Sequence, residues 1–171
     1  MKNLIWVTSD PATHFTAATA DGAIEVESLS MRHSQPTIWG QTSGPNARRQ
    51  YLIKAVTFVT LGTDTATDWR LWFFKRATGA VGSGDVALHE VVGIVEFNVS
   101  NDARTVAGVT NTDYFADHDI ELPYFDDDIG SGTAPRLHVG LQPVGDAADA
   151  YADGTAERVV RVALESVDYT T

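Results

Sequence analysis

Two strictly alternating segments near the end of the chain constrain its fold more than any other feature. In residues 136–144, Leu137, Val139 and Leu141 share one parity, and His138, Gly140 and Gln142 take the other. In residues 158–169, Val160, Val162 and Leu164 alternate with Arg161 and Glu165. Successive side chains of a strand point to opposite faces, so a period of two reads as a strand with one face on a core and the other toward water. A slip of one residue would turn each apolar set outward, so the register of both segments is tightly specified.

Further strand-like runs lie between clusters of Gly, Asp, Thr and Pro. Residues 3–7 form a short apolar run. In 23–31, Ile24 and Val26 share a parity that Leu29 and Met31 do not, which predicts a bulge or bend between them. Residues 51–61 carry Ile53, Val56, Phe58, Val59 and Leu61 on both parities, as in a strand covered on both faces. Residues 69–74, 86–99 and 114–124 complete the set. The best helical candidate, residues 146–151, amounts to one turn ended by Asp153-Gly154. Seven or eight strands with turn signals between them predict an all-β fold, an antiparallel β-sandwich of jelly-roll type. Residues 1–50 read as an irregular N-terminal arm with one or two short strands, and 51–171 as the sandwich core of a single domain.

Length and charge bound the function. A chain of 171 residues can build a sizeable core without covalent staples. It has no cysteine, so disulfides, zinc-thiolate centres and thiol nucleophiles are excluded. A formal net charge of −11 argues against a nucleic-acid partner, because phosphate binding needs a basic surface. No run approaches the roughly 20 apolar residues of a membrane helix. The apolar run at 4–7 is too short for a secretory leader. The expectation is a soluble protein with no membrane partner.

Several catalytic motifs begin and then fail. His89-Glu90 opens like a zinc-protease helix, but the second His is missing and the segment reads as strand. Residues 79–84 have the glycine spacing of a phosphate loop, yet Asp85 and Val86 stand where Lys and Ser/Thr are required. Gly82-Ser83-Gly84 and Gly130-Ser131-Gly132 lack the spacing of a nucleophile elbow. The histidines, at 14, 33, 89, 118 and 138, are scattered. The chain therefore reads as a non-enzyme without a cofactor. Asp126-Asp127-Asp128 before Gly130 is a candidate calcium loop, since calcium takes carboxylate and carbonyl oxygens. The bland alternative is a solvated acidic turn.

Trp69 and Trp72 fall on opposite parities of one strand, so at most one faces a given core. Trp39, Trp69, Trp72 and Phe74 are candidate anchors of a core or of an interface, where aromatic residues are enriched. An exposed Trp39 or Trp72 could instead offer a sugar-stacking platform. Arg48-Arg49 is a candidate charged contact.

The order of these segments resembles a known group of proteins. Asp68-Trp69-Arg70-Leu71-Trp72-Phe73-Phe74, a Gly-rich loop, the run 114–124, Arg136-Leu137-His138-Val139-Gly140-Leu141 and the closing 158–165 are similar to small β-sandwich virion proteins of tailed bacteriophages and related archaeal viruses. These are the decoration, or cement, proteins of a head shell. The resemblance covers about residues 50–170. It implies a non-enzymatic protein on the capsid surface, made in the host cytoplasm, with the major capsid protein and copies of itself as partners, often as a homotrimer. The same motifs also suit a tail, receptor-binding or carbohydrate-binding sandwich. On this reading the first residues are an arm, and removing 1–20 should leave the domain folded.

Overall fold

The computed structural model describes residues 4–10, 13–15, 23–31, 50–60, 68–77, 90–98, 114–125, 136–144 and 158–166. They form eight strands: β1 (Leu4–Thr8), β2 (Glu25–Ser30), β3 (Gln50–Thr60), β4 (Asp68–Phe74), β5 (Val91–Phe97), β6 (Tyr114–Phe125), β7 (Arg136–Val144) and β8 (Arg158–Ser166). Two four-stranded sheets result, ordered β1-β8-β3-β6 and β2-β7-β4-β5, and every pairing is antiparallel. The first strand lies beside the last, the second beside the seventh, the third beside the sixth and the fourth beside the fifth. That is one long antiparallel ribbon rolled up so that successive rungs fall in opposite sheets. It is the strand order of a jelly roll, as the alternating segments predicted. Apart from the β4–β5 pair, every consecutive pair of strands lies in different sheets.

The side chains predicted to face inward on β7 and β8 do meet between the sheets. Leu137, Val139, Leu141, Val160, Val162 and Leu164 are all buried in one cluster with Ile53, Val56, Phe58, Leu71 and Phe73. Phe58 lies at its middle, with ring centroids of Trp69 and Phe97 each 5.4 Å away.

Two parity readings are corrected. On β3 the mixed parity reflects a register shift between Ile53 and Ala55, where Lys54 has no opposite residue on β8. The extra residue lets Tyr51 and Ile53 before it, and Val56 and Phe58 after it, reach the same interior. On β2 no shift occurs, since Glu25 to Ser30 pair with β7 in continuous register. Leu29 and Met31 join the central core, while Ile24 and Val26 pack with Trp72, Phe74 and Val91 in a second cluster. His138 and Gly140, expected to meet water, lie on the same outer side and are buried.

The sandwich also begins earlier than residue 51. β1 and β2 are the edge strands of the two sheets. Ile5 and Val7 are buried against β8, and the Phe15 ring is fully buried. Phe15 follows a turn in which Asp10 O accepts from the amides of Thr13 and His14. Its φ of 56° is costly for a bulky residue and is held by burial of the ring. Removing 1–20 therefore takes out a strand and a core aromatic. The helical turn expected at 146–151 lies outside the described residues.

Polar groups tie the two sheets together. Tyr124 of β6 donates from its hydroxyl to Arg136 O (3.1 Å) and accepts from the His138 amide (3.0 Å), fixing the crossing from β6 to β7. Arg158 of β8 lies almost wholly buried between the sheets. Its guanidinium is 3.7 Å from Glu25 of β2, donates to Phe15 O (3.4 Å) and sits 5.2 Å from the Trp69 ring centroid.

Candidate interaction surface

The aromatic anchors separate once placed. Trp69 belongs to the central core, and Phe74 is fully buried in the second cluster. Trp72 stacks on Phe74 with centroids 6.4 Å apart and donates its indole N–H to Gln142 (2.8 Å). At 8% exposure it has no free face for a sugar ring. All three act as core anchors of this chain, so the interface alternative for them is corrected: their contact area is spent internally. Trp39, Arg48 and Arg49 lie outside the described residues, as do Asp126, Asp127 and Asp128.

The second cluster exists because of what is missing at Gly140. A Cβ there would stand 2.5 Å from Ile24 Cγ2 and 2.9 Å from Phe74 Cε2, closer than real side chains come. Ile24 and Phe74 occupy the space that a side chain would take, forming a third layer outside the β2-β7-β4-β5 sheet. In the same outer row, His138 Nδ1 shares a 2.8 Å hydrogen bond with Ser28 Oγ.

Among the described residues, Glu90 and His118 are engaged in structural contacts. Glu90, from the zinc-like segment, is buried and paired with Arg76 (2.8 Å) and Lys75 (3.7 Å), while its carbonyl accepts from the Lys75 amide. It closes the ends of the β4–β5 connection. His118 packs edge-on against Phe97, with centroids 5.1 Å apart. Among the described residues no group of three or more His, Asp or Glu is placed to hold a metal ion. Asp119 and Glu121 line the outer side of β6, where Glu121 accepts from Lys54.

The exposed apolar surface is elsewhere. Leu4 (49%) and Trp6 (45%) project from the outer side of β1, and the other exposed large apolar side chain among the described residues is Ile94 (46%) on β5. The Arg161 guanidinium of β8 lies over the Trp6 ring, 5.1 Å from its centroid. Trp and Arg are both among the residue types enriched at binding hot spots. Sequence reasoning passed over this site. Its signal was present, since residues 4–7 are apolar on both parities and only Ile5 and Val7 are buried.

Among solved structures, a chain of desmodium yellow mottle tymovirus is similar to this one at 14% identity, covering 100% of this chain and 90% of that chain, with a TM-score of 0.29. At that score the likeness carries no weight, and the jelly-roll order rests on the strand pairings themselves. No protein-family model matches the chain, and no curated protein does.

Proposed function

We propose that this chain is a structural protein of a virus particle, a decoration or cement protein that binds a head shell and works by association. The observation that carries the reading is the rolled-ribbon strand order, β1-β8-β3-β6 over β2-β7-β4-β5. Jelly rolls of this kind recur in virus shells and lectins. The step from fold to function is an analogy, and the sequence resemblance to virion sandwiches points the same way. The reading needs no catalytic step and no resident cofactor. Its partners are the main shell protein and copies of the chain itself.

The physical mechanism is linkage. A protein that binds the closed shell but not its separated parts shifts the equilibrium toward the shell in proportion to its bound free energy. Apolar contact area, with the main shell protein or between copies of the chain, provides the means, and Leu4, Trp6 and Ile94 leave such area exposed. A net charge of −11 keeps the unbound protein dispersed. Of the two alternatives, sugar stacking is the less supported, because Trp72 is buried and Arg161 covers one face of Trp6.

The test is a census. Particles purified from the source of the sequence are analysed by quantitative mass spectrometry against their main shell protein. Decoration requires copy numbers comparable to the shell protein. A handful of copies per particle would move the protein to the tail, and its absence would end the proposal. In a second arm, purified protein added to bare shells should bind saturably and raise their melting temperature.

A further inference from the structure

Each sheet of the sandwich leaves two strand edges, and three of the four are protected against pairing with another chain. β2 carries Glu27, and β6 carries Asp119, Glu121 and Pro123. β5 carries Glu96 and a register shift against β4. Charges, proline and bulges are the devices by which natural sheets blunt their edges. β1 has none of them. It reads Leu-Ile-Trp-Val-Thr, pairs among the described strands with β8 alone, and holds the two exposed side chains Leu4 and Trp6.

We propose that the β1 edge is a self-association site, at which β1 of a second copy pairs antiparallel across a two-fold axis centred on Trp6. This holds whether or not the protein belongs to a virus particle. Charge selects the occupant. Two chains of net charge −11 repel each other over most of their surfaces, and β1 is the edge at which they meet without opposing any charge. A two-fold contact uses the same patch twice, so the patch must complement itself. In β1, Trp6 is the central residue, with Leu4 and Thr8 equally spaced on its outer side. The two-fold pairing therefore sets Trp6 against the partner copy's own position 6, and Thr8 against position 4.

The neighbouring strand adds complementarity. On β8, Ala163 lies opposite Trp6, Glu165 opposite Leu4 and Arg161 opposite Thr8. The central row across the dimer then runs from one alanine through two stacked indoles to the other alanine. Each flanking row has Arg161 of one copy at one end and the glutamate of the other copy at its far end. Opposite signs face each other along both rows, and the two sheets join into one of eight strands.

Because the chain has no cysteine, a single introduced thiol reports the contact. Residues directly opposite in an antiparallel pair have Cα atoms about 4.5–5.5 Å apart, within disulfide range. Sedimentation over a concentration series should show a monomer–dimer equilibrium for the unaltered chain. Trp6→Glu should weaken dimerisation by about tenfold or more, because it opposes two carboxylates across the axis. Within each copy the new carboxylate still meets Arg161, and an unchanged circular-dichroism spectrum would confirm the fold. Trp6→Cys should form a disulfide-linked dimer under mild oxidation, and Ile94→Cys, exposed on the other sheet, should not. The proposal is overturned by a monomer at all concentrations, by a dimer or trimer indifferent to Trp6→Glu, or by equal cross-linking at positions 6 and 94.

Discussion

On the outer side of the β2-β7-β4-β5 sheet, Phe74, Trp72, His138 and Gly140 are all buried, whereas on the outer side of the β1-β8-β3-β6 sheet Leu4 and Trp6 are exposed at one edge and Asp119, Glu121 and Pro123 at the other. The same architecture thus serves one sheet as an inner layer and the other as a surface. Apolar residues facing away from the central core mean different things in the two places. Over Gly140 they build a second interior with its own contribution to stability. On β1 they remain about half exposed in the isolated chain, with Arg161 over the Trp6 ring, and leave apolar surface for a partner.

The largest expected effect breaks this comparison if it fails. Phe74→Ala should cost about 3–5 kcal/mol, because a fully buried ring leaves both its transfer energy and a cavity. Trp6→Ala should change stability by no more than about 1 kcal/mol, as for most exposed positions outside a network. Urea denaturation of both variants reads the contrast directly. Equal losses would mean that the outer layer over Gly140 contributes no more than the exposed indole.

Next in size is the tie between the sheets. Arg158→Met removes the cation from a buried site and leaves Glu25 facing the interior. Stripping one member from a buried pair typically costs about 3 kcal/mol or more. Adding Glu25→Leu to Arg158→Met should recover much of that loss, since paired buried charges can often be replaced by apolar residues. A double variant no better than the single one would assign the loss to the guanidinium contacts with Phe15 and Trp69 instead.

How much of this was legible beforehand depends on which residues report geometry. β7 and β8 were readable because each alternates without interruption. Strands β2 and β3 both mixed parities, and the two expectations drawn from them came out interchanged. On β3, an inserted Lys54 shifts the phase of one apolar face. On β2, an unbroken strand serves two interiors at once. The list of apolar positions does not distinguish these cases, because a phase shift and a second covered face leave the same pattern along a single strand. The clue was at a distance: Gly140 on β7 makes room for Ile24, and no local window contains both. Of the residues named as core or interface anchors, Trp69 lies in the central core, whereas the burial of Trp72 and Phe74 belongs to the second cluster. Trp6 was not legible because β1 is apolar on both parities over only five residues, which leaves no alternation to show its exposed side.

Smaller effects test how tightly each layer is packed. Gly140→Ala should cost about 2 kcal/mol, since its methyl would meet the β-branched Ile24 and the edge of the Phe74 ring. At Gly93 a methyl would come as close, 2.6 Å, but to the end of the Leu122 side chain, which is only partly buried and can turn aside. Gly93→Ala should therefore cost less than about 1 kcal/mol. Thermal melts of the two variants rank the interiors, and the reverse order would make the sandwich edge the more rigid of the two.

The smallest effect belongs to the exposed sheet, at the residue that shifts its register. Lys54 donates to Glu121, and that hydrogen bond, opposed by desolvation and helped by attraction to Glu121, Glu165 and Asp119, raises its pKa above the ordinary 10.5. A lysine held more basic in the folded chain than in the unfolded one stabilises fully below its ordinary pKa. The contribution fades as pH rises through the raised folded value, where the ammonium is lost from both states. Comparing the unaltered chain with Lys54→Met in urea should therefore give a small difference that is constant at neutral pH, shrinks in strong alkali and is reduced by salt. A difference that persists unchanged into alkali would assign it to the packing of the lysine stem along β3. In that case the extra residue would matter for its shape, as Gly140 does on the opposite sheet, and the two outer faces would differ less than their exposure suggests.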